Sequence, residues 1–414
     1  MKKICVVSPS TVPLPIKDSY LSTLEGSQKT SFLETFCHAT SHGLRPWHIA
    51  NVLSRVKGLD VTLFVPDIFF PESEAVDQTK LPFQLQIYNL KAAKGIWSEE
   101  LDRKFKKFDF VILPTIDLIG TLNGAVLSYD TNLIVDGWNF TPSEEPCNLL
   151  GHNRTYKKVI WDRFIQQYVP LLKRANCILY ATDSQRFGYE GQFFMIEKQD
   201  WKAFQFSTLL KVPYGVDAIT PVDRGKVLSS TALNLVWFGE IKPWHYPEVL
   251  FSIDSKDLKS TYIHFLHAFT SRNKKSYSTY FYKYFESIES SNNFVVENNY
   301  VSDLFNMFTG FDASIVLTKP WIINNYSIHS RILTSLSYGV PVICNVGIQF
   351  VKELKTFAKD YIIECTYDDL PTVFTNLRDL KSSLTYDAKQ LTFLQKELSW
   401  TKVCEPLITY INEV

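Results

Sequence analysis

Along the chain, short runs of apolar, mostly β-branched or aromatic residues alternate with longer segments whose apolar positions return every three or four residues. In the first half such runs stand at Ile4–Val7, Val61–Val65, Phe110–Leu113, Leu133–Val135 and Cys177–Tyr180. Between them, His48–Val56 and Lys157–Arg174 carry a helical period. Continuous apolar strands separated by amphipathic helices predict a parallel sheet covered on both faces.

The pattern then begins again. After Lys211–Asp217 and a polar stretch to Thr231, a new first strand is expected at Leu233–Phe238, ending in Gly239. Further strands are expected at Tyr262–Leu266, Asn293–Val296, Ala313–Leu317, Pro341–Cys344 and Tyr361–Glu364. The chain therefore reads as two Rossmann-like domains with a hinge near residue 215, and its 414 residues suit two domains better than one. Ligands of such sheets sit beyond the carboxyl ends of the strands, so two of them facing each other are expected to form one cleft. The segment 271–291 interleaves Arg272, Lys274, Lys275 and Lys283 with tyrosines and is read as a helix with a solvated face.

Composition narrows the function classes. Basic and acidic residues are equal at 43 each, so nothing draws the whole chain to nucleic acid or anionic lipid. The cysteines number seven and include no CxxC pair, which argues for reduced thiols and against a zinc site or a disulfide framework. The opening Met1–Val7 run is too short for a signal peptide, and no stretch nears the roughly 20 apolar residues of a membrane span. A cytoplasmic protein is expected, with a peripheral contact at the inner face of the membrane left open. No GxGxxG fingerprint follows the first strand, where Ser8-Pro9-Ser10-Thr11-Val12-Pro13 stands, so a nicotinamide enzyme is not expected. Nor does a Ser/His/Asp or Cys/His nucleophile signature emerge.

Several segments, in order across nearly the whole chain, resemble GT-B glycosyltransferases of the family 4 type. Val212-Pro213-Tyr214-Gly215-Val216-Asp217 is similar to the linker between the two halves of those enzymes. Gly43 to Ala50 followed by Val61–Phe64 looks like their opening loop, helix and second strand. Leu133–Trp138, with Glu144 downstream, resembles an aspartate-containing strand end of members that build surface polysaccharides. Leu235–Trp244 looks like the first strand and phosphate-facing loop of their donor domain. Ser327–Leu333 with Ser337–Ile343 resembles the nucleotide-binding helix and the turn into the next strand. Leu398–Trp400 with Pro406-Leu407 is similar to a closing helix that crosses back to the N-terminal domain.

The resemblance implies an α/β GT-B fold: an acceptor domain over 1–215, a nucleotide-sugar domain over 216–390, and a returning helix over 391–414. It implies a hexosyltransferase-like enzyme that moves sugar from a nucleotide-sugar donor to a glycan or lipid-linked acceptor, by retention and without metal or cofactor. One departure stands out. Many family members carry two glutamates about eight positions apart, and Tyr326 and Thr334 occupy those places here. A catalytically silent subunit that binds glycan or a partner transferase is the competing reading. A nucleotide-sugar epimerase, which needs carboxylates in the cleft for proton abstraction, is weaker.

The chemistry needs fixed positive groups for the leaving diphosphate. Lys242 and Arg331 are the candidates, helped by hydroxyl and backbone donors of Ser327 and Ser330 at a helix start. Gly239 allows backbone to approach a ligand, although a plain tight turn also explains it. Glu240, Trp244, Tyr326 and Thr334 complete the donor-side set; Trp244 and the adjacent His245 offer aromatic surface for stacking or for packing. An interdomain ion pair for Arg331 and simple solvation for Lys242 remain alternatives. On the acceptor side stand Ser10, Gly43 and Arg45, with Asp136 as general base or as a structural aspartate. His42 is placed with the catalytic groups, while His48 reads more as structure.

Overall fold

The computed structural model describes residues 1–33, 36, 41–88, 103–115, 131–148, 154–197, 208–217, 219, 231–239, 241–242, 244–266, 291–297, 308–380 and 388–414. The segment 271–290, with its lysines and tyrosines, lies outside them. Two compact units emerge: Met1–Gly215 with Trp400–Val414, and Val216–Ser399.

The first unit is built on seven parallel strands: β1 (Lys2–Val7), β2 (Leu59–Pro66), β3 (Gln84–Tyr88), β4 (Phe110–Pro114), β5 (Asn132–Asp136), β6 (Cys177–Tyr180) and β7 (Thr208–Lys211). They lie in the order β3-β2-β1-β4-β5-β6-β7. Every residue of β4 and β6 is buried, as expected of strands covered on both faces. The two strands that apolar patterning misses, β3 and β7, are the sheet's edges. Their residues are mostly exposed or half-buried, so no continuous apolar run is required of them.

Three helices frame the chemistry of this sheet: α1 (Ser41–Ser54), α2 (Arg154–Arg174) and α3 (Asp183–Glu197). Gly43, expected in a loop before a helix beginning at His48, lies inside the first turn of α1. A β-carbon there would stand 1.7 Å from the Thr11 carbonyl oxygen. Only glycine lets the helix start press so closely against the chain leaving β1.

The second unit repeats the plan with six parallel strands: β8 (Leu233–Phe238), β9 (Thr261–Leu266), β10 (Phe294–Glu297), β11 (Ala313–Val316), β12 (Val342–Asn345) and β13 (Ile362–Cys365). Their order is β10-β9-β8-β11-β12-β13. All six match the apolar runs of the sequence to within one residue at each end. Its helices include α4 (Ser330–Ser337), α5 (Gln349–Ala358), α6 (Leu370–Leu380) and α7 (Ala388–Glu397). One face of this sheet packs Trp237, Phe265, Ile315 and Phe374 into a fully buried core.

The end of the chain is divided. Helix α7 counts with the second unit, whereas Trp400–Val414, including α8 (Glu405–Glu413), belongs to the first. Trp400 packs there against Tyr214 with ring centroids 5.1 Å apart, and stacks on His48 at 4.6 Å. A β-carbon on Gly215 would meet the Trp400 ring at 2.5 Å, which explains the glycine of the linker. Lys2 Nζ donates to the Ile411 carbonyl at 2.7 Å and fastens α8 beside β1.

In both sheets the strand order reverses direction beside the first strand of the unit. The carboxyl ends of β1 and β4, and of β8 and β11, are thus the topological switch points where open α/β sheets bind ligands.

Candidate functional site

At the carboxyl edge of the first sheet, β5 delivers Asp136 and α1 delivers Arg45. The guanidinium is fully buried, and the carboxylate is 3 % exposed. Arg45 Nε reaches both carboxylate oxygens at 3.0 and 2.9 Å, and Nη2 reaches Oδ1 at 2.9 Å. The same guanidinium donates to the carbonyls of Pro213 and Val212, each at 2.9 Å. This side-on fork joins helix, strand and linker, and it corrects two expectations. Asp136 is engaged as a structural aspartate, with both carboxylate oxygens held by a buried guanidinium. Arg45 is not an acceptor ligand, because it is turned inward onto protein groups.

Beyond Asp136 the chain turns through Gly137, Trp138 and Asn139. Gln185 Nε2 donates to the Trp138 carbonyl at 2.6 Å, and the Tyr189 hydroxyl donates to the Gly137 carbonyl at 2.8 Å. Both side chains come from α3 and are fully buried. Burial pushes the Tyr189 phenol well above its usual range and keeps it a neutral donor. Sequence reasoning gave neither residue a role, since a Gln and a Tyr on an amphipathic helix carry no distinctive spacing.

His42, Asn139 and Ser10 also lie at this edge. Asn139 Nδ2 lies 3.2 Å from His42 Nε2, so an Asn139 donor places the imidazole proton on Nδ1. The His42 ring also packs on Trp138 with centroids 5.5 Å apart. Ser10 sits on a turn closed by Ser8, whose hydroxyl donates to the Ser10 carbonyl at 2.9 Å. The structure brings His42 to the edge of the strands, while His48 lies in the Trp400 stack.

At the carboxyl edge of the second sheet, Gly239 ends β8 with φ at +79°, a left-handed conformation suited to glycine. Its N–H donates to the Leu266 carbonyl at 3.0 Å. Arg331, from the first turn of α4, comes to the same place: a β-carbon on Gly239 would lie 3.8 Å from Arg331 Cδ. The guanidinium donates to the Phe238 carbonyl at 3.1 Å and lies over the Trp237 ring at 5.4 Å. It also meets the imidazole of His245, with Nη2 at 2.9 Å from Nδ1 and in close contact with Nε2. His245 Nδ1 accepts the Lys242 N–H at 2.7 Å. Burial first, and Arg331 second, hold the His245 imidazole well below the usual histidine range, so it is neutral.

Around this core the other donor-side candidates take distinct places. Lys242 and Trp244 flank the loop, and the Trp244 carbonyl accepts the Lys319 N–H at 2.7 Å. Ser330 opens α4 and Thr334 follows one turn later on the same helix. Tyr326 ends the short turn Ile323–Tyr326, with Ser327 buried next to it. Glu240 lies outside the described residues. His329, the residue before α4, is buried, with no hydrogen-bond partner for Nε2 among the described residues, and its imidazole is pushed down to about 3 by desolvation. Neither Tyr326 nor Thr334 brings a carboxylate to this edge. Among the described residues, no group of three or more His, Cys, Asp or Glu is arranged to hold a metal ion. No helix among them is long and apolar enough to cross a membrane.

No protein-family model and no curated protein matches the sequence. Solved structures do match. HepE of Anabaena in complex with UDP superposes with a TM-score of 0.61 at 10% identity, covering 100% of both chains. Sucrose-phosphate synthase of Thermosynechococcus elongatus gives 0.61 at 11% identity, over 100% of this chain and 99% of that one. The lipopolysaccharide outer core galactosyltransferase WaaB gives 0.52 at 10% identity, over 100% and 99%. A likeness of this kind, over the full length and at such identity, establishes architecture. The chain has the α/β GT-B fold, two Rossmann-like units in one polypeptide.

Proposed function

We propose that the protein is a glycosyltransferase that binds a nucleotide-sugar donor at the carboxyl edge of its second sheet. The observation that carries the reading is the meeting of Arg331, at the start of α4, with the left-handed Gly239 at the end of β8. A cation, a helix N-terminus and a strand end without a β-carbon converge at a switch point, which suits a diphosphate. Similar structures were solved with UDP or UDP-glucose, which supports a uridine donor.

In this reading Arg331 and Lys242 stabilise charge on the leaving diphosphate, with Ser327 and Ser330 adding donors and no metal taking part. Gly239, Glu240, Trp244, Tyr326 and Thr334 complete the donor side. Tyr326 and Thr334 make neutral contacts with ribose or sugar where family 4 enzymes use glutamates. His42, with Ser10 and Gly43 beside it, faces the acceptor, a glycan or lipid-linked sugar of surface-polysaccharide or glycoconjugate synthesis. The setting is cytoplasmic, at or near the inner membrane face.

A second reading, a silent subunit that binds glycan or a partner transferase, draws on one observation. Asp136 is locked to Arg45, and positions 326 and 334 hold no carboxylate, so none of these three places offers a free one. Calorimetric titration of UDP, GDP, CMP and ADP, with and without magnesium, separates the readings. Micromolar binding of one nucleotide, indifferent to magnesium and weakened at least tenfold but still measurable in Arg331→Ala, supports the transferase. Absence of binding by all four overturns the donor site.

A further inference from the structure

We propose that His245 is a positioning residue that holds the Arg331 guanidinium against the end of β8. The inference rests on the donor-site reading given above and concerns the same edge of the sheet.

His245 is only 5 % exposed, yet it is bonded from two directions. Its backbone N–H donates to the Lys242 carbonyl at 2.9 Å, and its Nδ1 accepts the Lys242 N–H at 2.7 Å. These paired bonds close the loop that follows Gly239. The ring then lies edge-on to Trp237, with centroids 5.8 Å apart, and meets the Arg331 guanidinium that covers the same indole. The loop is also tied to the next strand end. His245 bridges Thr318, Tyr246 N–H donates to the Leu317 carbonyl at 3.0 Å, and Lys319 N–H donates to the Trp244 carbonyl at 2.7 Å.

This construction gives the arginine a fixed wall. A long side chain with many rotamers is confined between an indole face, an imidazole and the Phe238 carbonyl. The imidazole suits this position because it is polar without carrying charge. A carboxylate here would neutralise the cation, and an ammonium would repel it. Nδ1 is engaged by the Lys242 N–H, and the Arg331 guanidinium meets the same ring at Nδ1 and Nε2. His245 therefore orients the guanidinium without competing with an anion for its charge.

A role through Arg331 makes the two residues non-additive, which a purely structural role does not. The test is UDP binding, with GDP and ADP in parallel, to wild type, His245→Asn, Arg331→Ala and the double variant, with thermal unfolding as the folding control. Asn keeps an acceptor within reach of the Lys242 N–H; His245→Leu serves as a second variant if Asn unfolds the loop. The expected result is about tenfold weaker binding in His245→Asn and less than a twofold further loss when Arg331 is already alanine. Equal losses in the two backgrounds, or no loss in either His245 variant, overturn the inference. Wild-type protein that binds none of the three nucleotides overturns the donor-site reading itself.

Discussion

Replacing Asp136 by Asn separates a structural aspartate from a catalytic one. The substitution keeps the size of the side chain and removes the charge that Arg45 faces across three hydrogen bonds of 2.9–3.0 Å. Arg45 is fully buried, so its guanidinium would keep only the carbonyls of Val212 and Pro213 and an amide oxygen. An uncompensated buried charge costs about 3–5 kcal/mol. That is a large share of the roughly 5–15 kcal/mol by which folded proteins are stable. Arg45→Met should cost more, because it strands the carboxylate and also leaves the two carbonyls without their donor, at about 1–3 kcal/mol each. In Arg45→Met/Asp136→Leu only the carbonyls remain unpaired, so the double variant should be more stable than Arg45→Met alone. Urea unfolding followed by circular dichroism reads all three. Asp136→Asn with stability within about 1 kcal/mol of wild type, but with sugar transfer abolished, would refute the reasoning and return Asp136 to the chemistry.

Gly43→Ala forces a β-carbon to within 1.7 Å of a backbone oxygen and should lower the thermal midpoint through at least about 1–3 kcal/mol of strain. Gly191→Ala, in open space on α3, is the matched control and should be neutral or slightly stabilising; equal effects would refute the close-contact argument. Acid should destabilise the second unit well above the carboxylate range. His329 is neutral in the folded state down to about 3 and His245 is likewise depressed, while both take up protons near 6.5 when unfolded. The unfolded chain then binds more protons below about 6.5, so stability falls with pH through that window, by about 1.4 kcal/mol per histidine between pH 7.5 and 5.5. Urea midpoints at the two pH values measure this, and His329→Asn should remove about half of the difference; an unchanged difference would contradict the assignment.

The second sheet was almost wholly legible in sequence because each of its strands is an apolar run bounded by polar turns. The first was read less fully: β3 and β7 lie at its edges, where Gln84 and Gln86 interrupt any apolar run in β3 and β7 is only four residues long, with Thr208 and Lys211 at its ends. At the site, a strand-end glycine and an arginine near a helix start stood out as residue types, and the structure brings Gly239 and Arg331 together. What the sequence did not carry was pairing. Arg45 and Asp136 are 91 positions apart, and Arg331 and His245 are 86 apart, so neither contact has a local signature. The first pair turned two expected ligands into structure, and the second raised a passing aromatic neighbour to a partner of the key cation.

The central claim is that the second sheet's carboxyl edge holds the nucleotide. Hydrogen–deuterium exchange on the full chain, with and without saturating UDP, tests it most directly. The account predicts slowed exchange over residues 237–246 and 323–337, around Gly239, His245 and the start of α4, weakened in Arg331→Ala at the same UDP concentration. Protection confined to the first unit, or no change anywhere at saturation, would contradict it.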